Sequence, residues 1–207
     1  MHALTRPDPN VVSAGPLARA ATAGMRRPIV PSGVLAMLAF VIAEIMFFGG
    51  LVSAYLITRA SVGQWSWPPP NQPRLPIAAT AVNTLALLAS AAVLLYGQRL
   101  LRKSTASAGR ALAAAVALGA FFLIGQGREW VALIREGLTL RSSLHGSFFY
   151  IIVGCHGLHA LAALCALGVA LAMLARNRLR SETLAAISVF WYFVAGIWPF
   201  LYYELYL

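Results

Sequence analysis

The sequence predicts an all-α fold, an integral membrane bundle of five transmembrane helices. Three observations predict it. Hydrophobic residues make up 60% of the 207 positions and charged residues only 11%, whereas soluble globular chains carry about 25% charged residues. The charges fall in short groups. Between the groups lie apolar stretches that reach the roughly 20 residues a helix needs to cross a bilayer. The net charge of +10 does not point to nucleic acid. The basic residues sit in short segments at the ends of apolar stretches, where they set orientation against the membrane.

Residues 1–28 are polar, contain proline and arginine, and read as a mobile cytoplasmic tail with no cleavable signal peptide. The transmembrane domain follows over 29–207. Its first span, near 29–58, acts as an uncleaved anchor. The outer loop after it reads Trp65-Ser66-Trp67-Pro68-Pro69-Pro70, where the prolines stop the helix and the tryptophans suit the membrane interface. The second and third spans, near 76–97 and 108–134, are rich in Ala and Leu, and their content says little beyond helix. The fourth lies near 147–175 and carries Cys155 and Cys165. Ten residues of helix separate these by about 15 Å, too far for a disulfide, and both read as small buried apolar residues. The fifth lies near 183–207, with Tyr202, Tyr203 and Tyr206 expected in an interfacial belt.

Basic residues assign the orientation. The tail, the second loop and the fourth loop together hold eleven Lys and Arg, and the opposite loops hold four. That places the N-terminus in the cytoplasm and the C-terminus outside. No convincing internal repeat is present, which argues against an inverted-repeat transporter.

Ionisable groups at membrane depth are costly and face protein or water. Glu44, Glu129, His156 and His159 stand out. Glu44 lies about 15 residues into the first span and His159 about 13 into the fourth. At about 1.5 Å per residue the two share a level near the midplane, which predicts a Glu44–His159 contact. Glu129 lies nearer the outer face, closer in level to His156. A structural hydrogen bond within the bundle and a role in proton handling are both open to these groups. Metal ligation is disfavoured, because no further Cys or His stands at matching depth. His145 is placed in an outer loop. Arg128 either snorkels outward or pairs with Glu204. Gly49 with Ser53, Gly50 with Ala54, and Gly154 with Gly157 and Ala160 follow the small-residue spacing that lets helices approach closely.

Four segments resemble subunit III of the haem–copper oxidases. Glu44-Ile45-Met46-Phe47-Phe48-Gly49-Gly50 is similar to that family's Glu-x-x-Phe-Phe-x-Gly helix. Gly125-Gln126-Gly127-Arg128-Glu129-Trp130 is similar to its Gly-Gln-x-x-Glu-Tyr/Trp. The most specific stretch runs from His145-Gly146-Ser147-Phe148-Phe149 to Gly154-Cys155-His156-Gly157-Leu158-His159. The fourth is Trp191-Tyr192-Phe193-Val194-Ala195-Gly196-Ile197-Trp198. The segments stand in family order and the resemblance covers all five spans. Tyr192 and Ala195 replace the His and Asp usual in the family's last helix.

The resemblance implies a short five-helix bacterial form that binds no haem and no copper. Those cofactors belong to partner subunits, chiefly subunit I beside which the chain packs, and subunit II. It implies a role in holding structural phospholipid, stabilising subunit I, protecting it from inactivation during turnover and supporting proton uptake. Oxygen reduction would then take place in the partner. The electron donor stays open between cytochrome c and quinol, and an accessory of a nitric oxide reductase is a further alternative. Two readings from other classes are a small stand-alone transporter of protons or a solute, and an intramembrane enzyme. The latter lacks a nucleophile–base pair or a metal motif.

Overall fold

The computed structural model describes residues 31–62, 67, 69, 73–101 and 103–207. The tail expected over 1–28 lies outside them. The described residues form five α-helices and no strand: α1 Ser32–Val62, α2 Ile77–Leu101, α3 Thr105–Arg135, α4 Leu144–Ala175 and α5 Ser181–Tyr206. All five are long and apolar enough to cross a membrane. Each falls within a few residues of its predicted span. A helix of 31 residues is about 46 Å long, so α1, α3 and α4 outrun the roughly 30 Å hydrocarbon layer and extend into the interfacial zones.

Local chemistry sets the helix ends. Ser104 caps α3 by accepting from the Ser107 N–H, and Ser143 caps α4 by accepting from the Gly146 N–H, each satisfying a donor the helix leaves free. α3 stops at Gly137, whose φ of +97° is the left-handed conformation glycine adopts without penalty. Leu138 then returns its N–H to the Leu133 carbonyl at 2.9 Å and buries its side chain completely. The connection continues through Ser147, whose hydroxyl donates to the Leu140 carbonyl at 2.6 Å. The small Gly146 allows this close turn, because a Cβ there would collide with the Thr139 carbonyl. His145 therefore does not stand in a loop. It is the second residue of α4 and is 95% buried.

Side-chain contacts fix the register. α2 and α3 pack antiparallel, with Thr80 opposite Glu129, Asn83 opposite Gln126 and Ser90 opposite Ala115. α1 lies antiparallel to α4, through Glu44 with His159, Phe48 with His156 and Tyr55 with Phe148. α5 sits among α2, α3 and α4 and has the largest share of its residues buried, including Trp191 and Trp198, both fully enclosed.

α1 is the outlier. No Cα of α1 comes within 8 Å of the other four helices, and its buried residues are Phe48, Val52 and Tyr55. It reaches the bundle through long side chains on the row Glu44, Phe48, Val52, Tyr55, which repeats every three or four residues and so lies on one face. Gly49, Gly50, Ser53 and Ala54 fall off that row. They are exposed, and a Cβ on either glycine would meet nothing within 4 Å. The expected close approach at these positions does not occur among the described residues. Small-residue spacing marks where a backbone can come near, not whether this chain supplies it. Gly154 likewise faces open space, whereas a Cβ on Gly157 would stand 2.6 Å from the Trp130 ring.

Candidate functional site

The buried polar side chains form two clasps joined by an aromatic layer. The first ties α1 to α4. His159 Nε2 lies 3.0 Å from Glu44 Oε2, with both side chains 17% exposed. His159 Nδ1 stands 2.7 Å from the Cys155 carbonyl. A carbonyl can only accept, so Nδ1 carries a hydrogen and Nε2 is left to face the carboxylate. The sequence-predicted pair is in contact.

The second clasp ties α2, α3 and α5. The Glu129 carboxylate accepts from Thr80 Oγ1 at 2.7 Å, Asn83 Nδ2 at 2.9 Å and Gln126 Nε2 at 3.0 Å. Gln126 Nε2 also donates to the Tyr206 hydroxyl at 3.1 Å. Glu129 thus belongs with α2, a partner that its depth alone does not identify. Depth fixes the level of a residue along the membrane normal but not the direction in which its helix face points.

His156 lies between the clasps. It is 1% exposed, stacks on Trp198 with ring centroids 4.7 Å apart, and meets Phe48 and Phe122 edge-on. Neither ring nitrogen has a hydrogen-bond partner among the described residues. The indole N–H of Trp198 donates to Thr84 Oγ1 at 2.8 Å, and that of Trp191 donates to Ser90 Oγ at 3.1 Å. Phe193 packs its ring 6.3 Å from that of Phe48. Tyr192, which replaces the family His, donates from its hydroxyl to Gln98 Oε1 at 3.1 Å.

Several expectations are corrected here. α2 is not uninformative. Thr80, Asn83, Thr84 and Ser90 are its buried polar residues, and with Leu87, Leu94 and Gly97 they form one buried stripe at helical spacing. That period is visible in the sequence as polar residues on one face of an apolar span, the signal that reasoning from Ala and Leu content overlooked. Arg128 is exposed and makes no ion pair with Glu204. Among the described residues the Glu44–His159 contact is the one salt bridge present. Cys165 is exposed and Cys155 half-buried, so neither is the enclosed residue expected. Tyr206 is buried in the second clasp, while Tyr203 is 63% exposed, in keeping with an interfacial place. Among the described residues, no three His, Cys, Asp or Glu side chains converge as metal ligands would.

Close packing makes the second clasp sensitive to added volume. A Cβ on Gly125 would stand 2.5 Å from Asn83 Oδ1, whereas one on Gly154 would touch nothing. Gly125→Ala is expected to destabilise the folded chain by about 1–3 kcal/mol through overpacking, and Gly154→Ala to be near neutral. Denaturation in mixed detergent micelles compares the two. Equal midpoints would contradict the packing described.

The fold and site define a multi-pass membrane protein whose buried polar groups join helices to one another. Comparison with known proteins narrows this class. The family model for cytochrome c oxidase subunit III matches residues 17–207, and the chain belongs to that family. It is 31% identical over 189 residues to the cytochrome c oxidase subunit 3 of Corynebacterium diphtheriae, covering 89% of this chain and 91% of the relative. It is 34% identical over 179 residues to that of Thermostichus vulcanus, covering 84% and 86%. With that of Synechocystis it shares 34% identity over 176 residues, 81% of this chain and 72% of the relative.

Proposed function

We propose that the chain is a non-redox accessory subunit of a proton-translocating haem–copper terminal oxidase in a bacterial inner membrane. It packs beside subunit I, stabilises it during turnover, holds phospholipid and supports proton uptake. The observation that carries this reading is how the buried polar groups are used. Glu44, His159 and Glu129 are each engaged in contacts between helices, and they do not converge on a substrate-sized chamber. α1 supports it further. A helix with so little of its surface buried in its own chain has most of its side chains available to lipid or to a neighbouring subunit. The exposed small residues Gly49, Gly50 and Ser53 would let a partner's backbone approach.

Deleting the chain tests the proposal. The remaining oxidase is expected to keep its haem and begin reducing oxygen at a near-normal rate, then lose activity over successive turnovers. Oxygen consumption followed to exhaustion reads this out. Loss of haem at once, or an unaltered lifetime, would contradict it.

A further inference from the structure

We propose that the recess between α3 and α4 binds the ring of a membrane-dissolved quinone. The recess measures about 350 Å³, within the range of small-molecule sites. It is lined by Phe122 and Trp130 of α3 and by Gly154, His156 and Gly157 of α4, among others. Gly157 admits the Trp130 ring, which a Cβ there would strike, and a Cβ on Gly154 would meet nothing within 4 Å. Leu158 and Leu161 also line the recess and are exposed on the flank of the bundle. The way in is therefore from the bilayer.

His156 supplies the polar point of this apolar wall. Its ring is buried, and neither nitrogen has a hydrogen-bond partner among the described residues. Trp198, Phe48 and Phe122 pack around it with aromatic carbon. A neutral imidazole carries one donor and one acceptor, and a buried polar group left unpaired is costly. Gln126 also lines the recess, but its amide is engaged. The nitrogen donates to Glu129 and Tyr206, and the oxygen accepts from Asn83. The unspent hydrogen-bonding capacity beside the recess therefore includes both atoms of the His156 ring that could meet a ligand.

Depth makes the occupant neutral. Counted from Leu144, His156 is the thirteenth of the 32 residues of α4, which sets it inside the roughly 30 Å hydrocarbon layer. No charged side chain lines the recess, and an ion at this depth would be costly. An acyl chain would fill the space and leave His156 unpaired. A quinone meets both demands. It is neutral and dissolves in hydrocarbon, and its flat ring suits the aromatic wall. Its carbonyl can accept from the imidazole N–H. In the reduced form its hydroxyl can donate to the other nitrogen, so the neutral imidazole has a bond for either form.

The test uses the assembled complex, purified through a tag on this chain in mild detergent, with retained quinone measured by mass spectrometry and haem recorded separately. Gly154→Leu fills the recess. Gly168→Leu adds the same side chain to α4 outside the recess, where a Cβ also meets nothing within 4 Å. The wild type and Gly168→Leu are expected to retain an equivalent of quinone that Gly154→Leu loses. Equal retention in all three overturns the proposal. So does a wild type without quinone, whose recess would hold water or an acyl chain. Where Gly154→Leu fails to assemble, His156→Phe keeps an aromatic ring and removes both nitrogens. Its rebinding of decylubiquinone, after the native quinone is stripped, is expected to weaken about tenfold, the factor that one ordinary hydrogen bond carries. Unchanged affinity overturns the proposal. Decylbenzene has a ring and a tail but no carbonyl, and is expected not to compete. Equal competition would mean that any apolar molecule fills the recess, and overturns it too. A preparation that lacks haem speaks against the accessory-subunit reading and leaves the quinone measurement readable.

Discussion

Glu129→Ala is expected to be the most destabilising single polar substitution in this chain, by about 2–4 kcal/mol. Three donors from two helices, Thr80 Oγ1, Asn83 Nδ2 and Gln126 Nε2, converge on this one carboxylate. Removing it leaves those donors without their shared acceptor at a depth where water is scarce, and an unsatisfied buried group costs about 1–3 kcal/mol. Single hydrogen bonds within membranes measure closer to 0.6 kcal/mol on average, because the separated helices also find partners, so three at that scale set the lower end of the range, at about 2 kcal/mol. The effect should reach α5 through Gln126 and the Tyr206 hydroxyl. Glu129→Gln keeps one acceptor oxygen but turns an amide NH2 toward donors, and should fall between alanine and wild type. Unfolding midpoints in mixed micelles, with hydrogen exchange along α2 and α5, measure both. Wild-type behaviour of the alanine variant would show that the cluster contributes nothing to helix association.

Glu44→Ala is expected to act more locally, with a cost of about 1–3 kcal/mol from the unpaired His159 ring. α1 approaches the rest of the chain only through side chains, and Glu44 is its one ion-pair contact with the bundle among the described residues. Loss of the pair should therefore loosen α1 while α2, α3 and α5 stay as they are. Hydrogen exchange should rise in α1 and around His159, and the haem content of the complex should hold. An α1 protected as in the wild type would argue that Phe48, Val52 and Tyr55 hold it without the clasp. The two substitutions touch different helices and share no partner, so their effects are expected to add.

Much of this was legible in the sequence because membrane spans obey a strict rule. A backbone in hydrocarbon must satisfy its own hydrogen bonds, so long apolar stretches declare helices with little ambiguity. The Glu44–His159 contact was legible for a related reason. Two ionisable groups at one depth have few alternatives to each other. The contacts of Glu129 were less legible, because depth alone carries no rotational information. Its partners are the short polar side chains of α2, which look unremarkable one at a time and become visible only as a stripe. The Gly49, Gly50 and Ser53 row shows the opposite failure. The motif predicts a surface that permits close approach, yet no helix among the described residues fills it. His145 was taken for a loop residue because the start of α4 depends on the Ser143 cap and the tight turn at Gly146, and helix boundaries are the least determined part of any sequence pattern.

The most direct measurement of the central claim is purification of the native complex through a tag on this chain in mild detergent, followed by an optical spectrum. The account predicts haem bands from a co-purifying oxidase, with this chain spectrally silent once it is dissociated and isolated. A chain that purifies without any haem-bearing partner, or one that retains a haem spectrum of its own, would contradict it.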